Sequence, residues 1–250
     1  MKINRITRLV ERSFEAADPI RIQRDYYRET AADYDRRHVN ADDEHAFALA
    51  FMISAIKFFG IRSILDIGSG TGRALLALRS ADSTLTIVGI EPSSELRARG
   101  HAKGLTAQQL MDGDGQALGF ADGTFDLVCA FGILHHVPRP RKAVGEMLRV
   151  ARRAVFISDS NNFGQGRPMV RLAKQAIHAL RMWPLANFIK TRGRGYAISE
   201  GDGLFYSYSV FDDYPQIAAQ CAHVHLLNTS GSAQNIYRSA SHVAMLGLKR

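Results

Sequence analysis

The sequence predicts an α/β protein: a doubly wound, mostly parallel seven-stranded sheet with helices on both faces and an inserted helical cap. Three observations carry this expectation. Strand-like and helix-like stretches alternate from residue 62 to residue 158. A glycine-rich turn, Gly68-Ser69-Gly70-Thr71-Gly72, joins the first strand to its helix. The alternation lapses over residues 160–208, then resumes with one helix and two strands. In such a sheet the crossovers are right-handed and ligands sit at the carboxyl ends of the strands.

Ahead of the sheet, Ile3, Ile6, Val10 and Phe14 recur at helical spacing, with Arg5, Arg8 and Arg12 between them. A basic amphipathic helix over 3–14 either lies on a membrane surface or packs on its own domain. Pro19 is expected to end it. Residues 21–38 read as a second helix carrying Tyr26, Tyr27 and Tyr34. Asp42-Asp43-Glu44 opens a third, its acids at the positive end of the helix dipole, and Leu49, Met52, Ile53 and Ile56 form its apolar stripe. Residues 1–60 are therefore expected to cover a site built by residues 61–250.

The strands follow at 62–67, 84–90, near 105–110, 125–130 and 154–157, with helices at 71–80 and 94–103 and a third entered at Pro138 and Pro140. Residues 160–208 are Asn- and Gly-rich at first and then contain a basic helix that Trp183-Pro184 ends. A helix over 210–221 and strands over 223–228 and 242–248 complete the chain.

Composition narrows the function classes. The 250 residues are 46% hydrophobic and 22% charged, ordinary for one globular domain with an insertion. No apolar run approaches the roughly 20 residues that span a bilayer. Met1-Lys2-Ile3-Asn4-Arg5 has no apolar run behind it, so no secretory signal is expected and the cytoplasm is the default compartment. Cys129 and Cys221, the only cysteines, have no metal-ligand spacing; neither a disulfide nor a metal is expected. The net charge of +8 suits an acidic partner or a merely solvated basic surface.

Three candidate contacts end successive strands. Gly68, Gly70 and Gly72 expose main chain where a ligand must lie close. Glu91, nineteen residues after Gly72, can accept hydrogen bonds from both hydroxyls of a ribose. Asp114 suits an exocyclic amine, with the Gly115 N–H for a ring nitrogen. No lysine follows the glycines, which excludes a P-loop. Arg73 occupies the third small position of a dinucleotide fingerprint. An adenosine without phosphates fits better.

Ile64-Leu65-Asp66-Ile67-Gly68-Ser69-Gly70-Thr71-Gly72 resembles the first motif of class I S-adenosylmethionine-dependent methyltransferases, which have a Rossmann-like fold. Val88-Gly89-Ile90-Glu91-Pro92-Ser93 resembles their second motif. Phe131-Gly132-Ile133-Leu134-His135-His136-Val137 is similar to the segment after the fourth strand in the type 11 branch. The resemblance implies S-adenosylmethionine as cofactor. Asp66, Gly68, Ser69, Gly70 and Gly72 would hold its methionine end, Glu91 and Pro92 its ribose, and Asp114 and Gly115 its adenine. The main chain of Ala130 and Phe131 would meet the ammonium, and Tyr34 would close over the cofactor. The family commonly places a proline and two glycines before the fifth strand. Arg149-Val150-Ala151-Arg152-Arg153-Ala154 has neither, so a shorter turn is expected.

The implied reaction is methyl transfer to a small or medium-sized organic acceptor, through oxygen, nitrogen or carbon. His136 is a candidate base and His135 a second; the pair could instead shape the pocket. His223 and His225 read as structural. In the insertion, Arg171, Lys174, His178 and Arg181 share one helical face, and Val170, Ala173, Ile177 and Leu180 another. Either the apolar face caps the pocket and the basic face is wet, or the basic face meets an anionic acceptor or a phospholipid surface. Nucleic acid is not expected as a partner, because the segment after the fourth strand has no base-methylation motif. Tyr206 and Tyr208 belong to a pocket wall or to a surface turn. A non-catalytic cofactor-binding module and an NAD-linked oxidoreductase are the rival readings.

Overall fold

A computed structural model describes residues 19–231 and 235–250; the helix expected at 3–14 lies outside them. Helix α1 spans Pro19–Thr30, a 3-10 turn Ala31–Asp33, α2 Tyr34–His38 and α3 Glu44–Phe59. The single helix expected over 21–38 is thus divided at Thr30, and Pro19 is the first residue of α1. The sheet and its helices follow as β1 Ser63–Ile67, α4 Arg73–Ala81, β2 Thr86–Ile90, α5 Ser94–Ala102, β3 Leu110–Met111, β4 Phe125–Phe131, α6 Pro140–Val150 and β5 Ala151–Ser160.

The insertion holds α7 Pro168–Ala179, α8 Trp183–Lys190 and a hairpin, β6 Tyr196–Ser199 with β7 Gly203–Tyr206. Then come α9 Tyr214–Gln220, β8 Cys221–Asn228 and β9 His242–Lys249. Trp183-Pro184 therefore opens a helix instead of closing one. Arg181 takes a left-handed φ of 58° that stops α7, and proline fits the first turn of α8, where its missing N–H has no partner to lose.

Seven strands form one sheet in the order β3-β2-β1-β4-β5-β9-β8. The pairs from β3 to β5 are parallel, and β9 runs antiparallel to both β5 and β8. The alternation of side chains along each strand builds two cores. Leu65, Ile67, Val128, Val155 and Ile157 pack with Ala143, Val144 and Met147 of α6. Ile64, Leu127, Cys129 and Phe156 pack on the other face with Met52 and Ile56 of α3 and Leu75 and Leu78 of α4. Both faces are covered, as a parallel sheet requires. Cys129 is wholly buried core, as its place in the strand suggested.

The order reverses between β1 and β4, so the crevice of a doubly wound sheet opens beyond their carboxyl ends. The turn before β5 is indeed short: α6 ends at Val150 and β5 begins at Ala151. The third strand is only two residues, because Thr106 and Gln109 close a turn on each other's N–H groups and delay the pairing until Leu110.

Candidate active site

A cavity of about 710 Å³ fills the crevice. Its floor starts where β1 ends. Asp66 lies beneath the turn, almost fully buried, with the Cys129 thiol 3.6 Å from its Oδ1. Burial pushes its pKa up to about 7. The turn then runs through Gly68 and Gly70 with φ of 68° and 55°, a left-handed backbone that costs other residues about 1–2 kcal/mol. An added Cβ at Gly70 would lie 3.2 Å from the Tyr34 hydroxyl, so Tyr34 closes directly over the glycines.

Glu91, at the end of β2, is also buried. Its two oxygens accept the N–H groups of Gly70 at 3.0 Å and Ser93 at 2.8 Å. The carboxylate therefore ties the glycine turn to the next strand while facing the cavity. Burial, only partly offset by those N–H groups, lifts its pKa to about 7. Asp114 and Gly115 line the far end. Asp114 Oδ1 accepts the Gln116 N–H at 2.9 Å, leaving its other oxygen for a ligand. Of the residues expected to meet a cofactor, Tyr34, Asp66, Gly68, Ser69, Glu91, Pro92, Asp114, Gly115 and Phe131 border the cavity. Gly70, Gly72 and Ala130 stand behind its wall.

Two sets of long-range polar ties fasten the N-terminal helices to this floor. The Thr71 hydroxyl donates to Asp35 Oδ1 at 2.5 Å and accepts from Lys103 Nζ at 2.8 Å, while Lys103 pairs with Asp35 at 2.6 Å. Arg73 donates to both oxygens of Asp43, at 2.9 and 2.5 Å, and to the Asn40 carbonyl at 3.0 Å. Asp43 also caps α3 by accepting the Ala46 N–H. The residue that broke the dinucleotide fingerprint is thus the anchor of the segment above the turn. Its departure from that pattern was the one available signal.

On the acceptor side, His135 and His136 follow β4 in a 3-10 turn, with their rings 4.0 Å apart. His135 Nδ1 lies 2.6 Å from Asp159 Oδ1. His136 Nδ1 lies 2.6 Å from the Leu204 carbonyl. Asp202, in the β6–β7 turn, faces both Nε2 atoms. Burial alone would favour a neutral His135, but Asp159 and then Asp202 reverse this and push its pKa up to about 10. Tyr27 packs edge-on against both Tyr34 and His136 and bridges the two halves. His223 and His225 lie exposed on β8, outside the cavity.

The insertion corrects one expectation. On α7 the polar residues face inward: Lys174 donates to the Asn162 carbonyl, Gln175 to the Phe163 carbonyl, and His178 lies 4.3 Å from the Phe163 ring. The apolar residues face solvent. Met169 is 75% exposed, Leu180 69% and, on α8, Ile189 67%. The apolar face does not cap the pocket, because Asn162 and Phe163 at the end of β5 offer backbone carbonyls that only donors can satisfy. Tyr206 and Tyr208 both border the cavity, and the Tyr208 hydroxyl donates to Asp213 at 2.9 Å.

Sheet order, glycine turn and acid-lined crevice together define a class I methyltransferase domain. The type 11 methyltransferase domain family matches residues 65–157, the stretch that carries the glycine turn, Glu91 and Asp114. It is 36% identical over 92 residues to an uncharacterized methyltransferase of Mycobacterium avium (strain 104), which covers 36% of each chain. It is 32% identical over 119 residues to a phosphatidylethanolamine N-methyltransferase of Cereibacter sphaeroides, covering 46% of this chain and 57% of that one. The matched part is thus between a third and about six-tenths of these relatives' lengths. The fold is similar to that of magnesium protoporphyrin IX methyltransferase from Synechocystis PCC 6803, solved with bound SAH, at a TM-score of 0.59 and 16% identity over 93% of this chain and 100% of that one.

S-Adenosylmethionine fits the crevice. Buried Glu91 is held by two main-chain donors and keeps lone pairs toward the cavity, and no side chain rises from the turn at Gly68.

Proposed function

We propose that this protein transfers the methyl group of S-adenosylmethionine to an acceptor that is lipid-linked or anionic and is drawn from an anionic lipid surface. When bound, the cofactor supplies a methyl group already activated on sulfur. The chain's residues then have to hold, align and exclude water; alignment alone can supply about 7–11 kcal/mol of a barrier. On this reading Glu91 accepts the ribose hydroxyls, Asp114 and Gly115 meet the base, and Asp66 and the main chain of Ala130 and Phe131 hold the amino-acid end. Tyr34 covers the cofactor. Both histidines have Nδ1 committed and Nε2 turned to Asp202, so they position the acceptor rather than take its proton.

The outward apolar face of α7 and α8 is the observation that carries the acceptor class. Met169, Leu172, Leu180, Leu185, Phe188 and Ile189 are more than half exposed, and Arg167, Arg181, Lys190 and Arg192 are exposed among them. An apolar face with a basic rim suits the interface of an anionic membrane. Asn187 and Lys190 of α8 border the cavity, so an acceptor could pass from that surface to the site. Among the described residues no helix is long and apolar enough to cross a membrane.

The test is co-sedimentation of the full chain with vesicles of phosphatidylglycerol and phosphatidylethanolamine, followed by release of S-adenosylhomocysteine. Binding should fall at least tenfold in the double variant Leu185→Glu/Phe188→Glu while affinity for S-adenosylhomocysteine is unchanged. Equal vesicle binding by both proteins would remove the lipid surface from the proposal.

A further inference from the structure

Three side chains of the acceptor wall converge on one point. His135 Nε2 lies 3.3 Å from Asp202 Oδ2, and His136 Nε2 lies 3.4 Å from Asp202 Oδ1. The other nitrogen of each ring is already engaged, His135 Nδ1 with Asp159 and His136 Nδ1 with the Leu204 carbonyl, both at 2.6 Å. Those partners are acceptors, so each Nδ1 is a donor and each Nε2 is the nitrogen turned to the Asp202 carboxylate, where a metal ion would take the place of a ring proton. The rings are tilted at 46° to each other with centroids 4.0 Å apart, so one ion can reach both Nε2 atoms and the carboxylate.

We propose that His135, His136 and Asp202 form a binding site for a divalent transition-metal ion, zinc among them, through both Nε2 atoms and the Asp202 carboxylate. The separations suit it. Donors about 2.0–2.1 Å from a tetrahedral zinc lie about 3.3–3.4 Å from one another, and two imidazoles with one carboxylate are a set that leaves a fourth position open. The surroundings suit it as well. Metal-bound histidines donate their second N–H to a carboxylate or a backbone carbonyl, which fixes the ring. Here both kinds of partner are in place. Asp159 is itself held, accepting the Leu134 N–H at 2.8 Å and the Ser160 N–H at 2.6 Å.

The Asp202 side chain is 44% exposed and all three residues border the cavity, so an ion has a way in and its open position faces the space left for an acceptor. An oxygen of the acceptor, as hydroxyl, carboxylate or phosphate, would take that position. This last assignment rests on the methyltransferase reading; binding of the ion does not. No spacing rule could have shown the site, because Asp202 comes from the inserted hairpin, 66 residues after His136.

The experiment uses the untagged full chain, stripped with chelator and titrated with Zn²⁺ by calorimetry and with Co²⁺ by visible absorption. One ion per chain should bind, with the d–d bands of tetrahedral cobalt. Asp159→Asn should weaken zinc binding by about 10–100-fold, and Asp202→Ala, which removes a ligand, by more. Circular dichroism and titration with S-adenosylhomocysteine check that each variant folds. Absence of stoichiometric binding in the wild type, or equal affinity in folded Asp202→Ala, overturns the metal site. If zinc binds and S-adenosylhomocysteine does not, the methyltransferase reading fails instead.

Discussion

The two walls of the cavity are built on different terms. The cofactor wall is backbone and buried carboxylate: Gly68 and Gly70 bare the main chain, and the buried Glu91 and Asp66 border the cavity beside it. The acceptor wall is assembled from separate pieces: a 3-10 turn after β4, an inserted hairpin, and two helices without a single buried residue. The first wall has little freedom to change, because the Gly68, Ser69 and Gly70 N–H groups already have partners and a Cβ added at Gly68 or Gly70 meets a neighbour. The second can vary with little effect on the core. A ligand common to a family belongs on the first wall and an individual acceptor on the second.

The largest effect is expected at Glu91. Glu91→Ala should weaken binding of S-adenosylhomocysteine by about 1–3 kcal/mol, since it removes charge-assisted hydrogen bonds and frees the Gly70 and Ser93 N–H groups; calorimetry reads this. The same carboxylate should give a pH signature. Its pKa rises on folding from an ordinary 4.5 to about 7, and that of Asp66 from 3.8 to about 7. Between those values the folded chain holds protons that the unfolded chain has released. Stability of the cofactor-free protein should therefore fall as pH rises from about 4 to about 7. Thermal melts across that range should show a shallower fall in Glu91→Gln; an identical slope would mean that Glu91 does not titrate there.

Gly70→Ala comes next. A left-handed φ of 55° and the Tyr34 hydroxyl 3.2 Å from the new Cβ should lower stability by about 1–2 kcal/mol in chemical denaturation. Arg73→Ala cuts the tie between the glycine turn and the segment above it. Losing the ion pair to Asp43, with both side chains a fifth exposed or less, should cost about 1 kcal/mol and raise protease sensitivity of residues 34–43 more than that of α7. The smallest effect belongs to the other wall: Leu172→Ser on α7 should leave the melting temperature within about 1 °C, because that side chain is 61% exposed.

The same contrast explains what the sequence revealed. The sheet was legible because each strand is a short apolar run closed by glycine or an acid, and Glu91 and Asp114 stand where strands end. The break at Thr30 was not, since a helical period continues across it, nor was the second helix from Trp183, since a proline that reads as a stop also suits the first turn of a new helix. The inward polar face of α7 was misread for a physical reason: its partners are the main-chain carbonyls of Asn162 and Phe163, to which a hydrophobic pattern is blind. The Arg73–Asp43 and Asp35–Thr71–Lys103 ties join residues 30 or more positions apart, and nothing local records them.

A crystal of the full chain grown with S-adenosylhomocysteine is the most direct trial. The nucleoside should lie over Gly68 and Ser69 with both ribose hydroxyls within hydrogen-bonding distance of Glu91, its base toward Asp114 and its sulfur toward His135 and His136. Density for the ligand elsewhere, or a Glu91 that makes no contact with the sugar, would contradict the assignment of the cofactor wall.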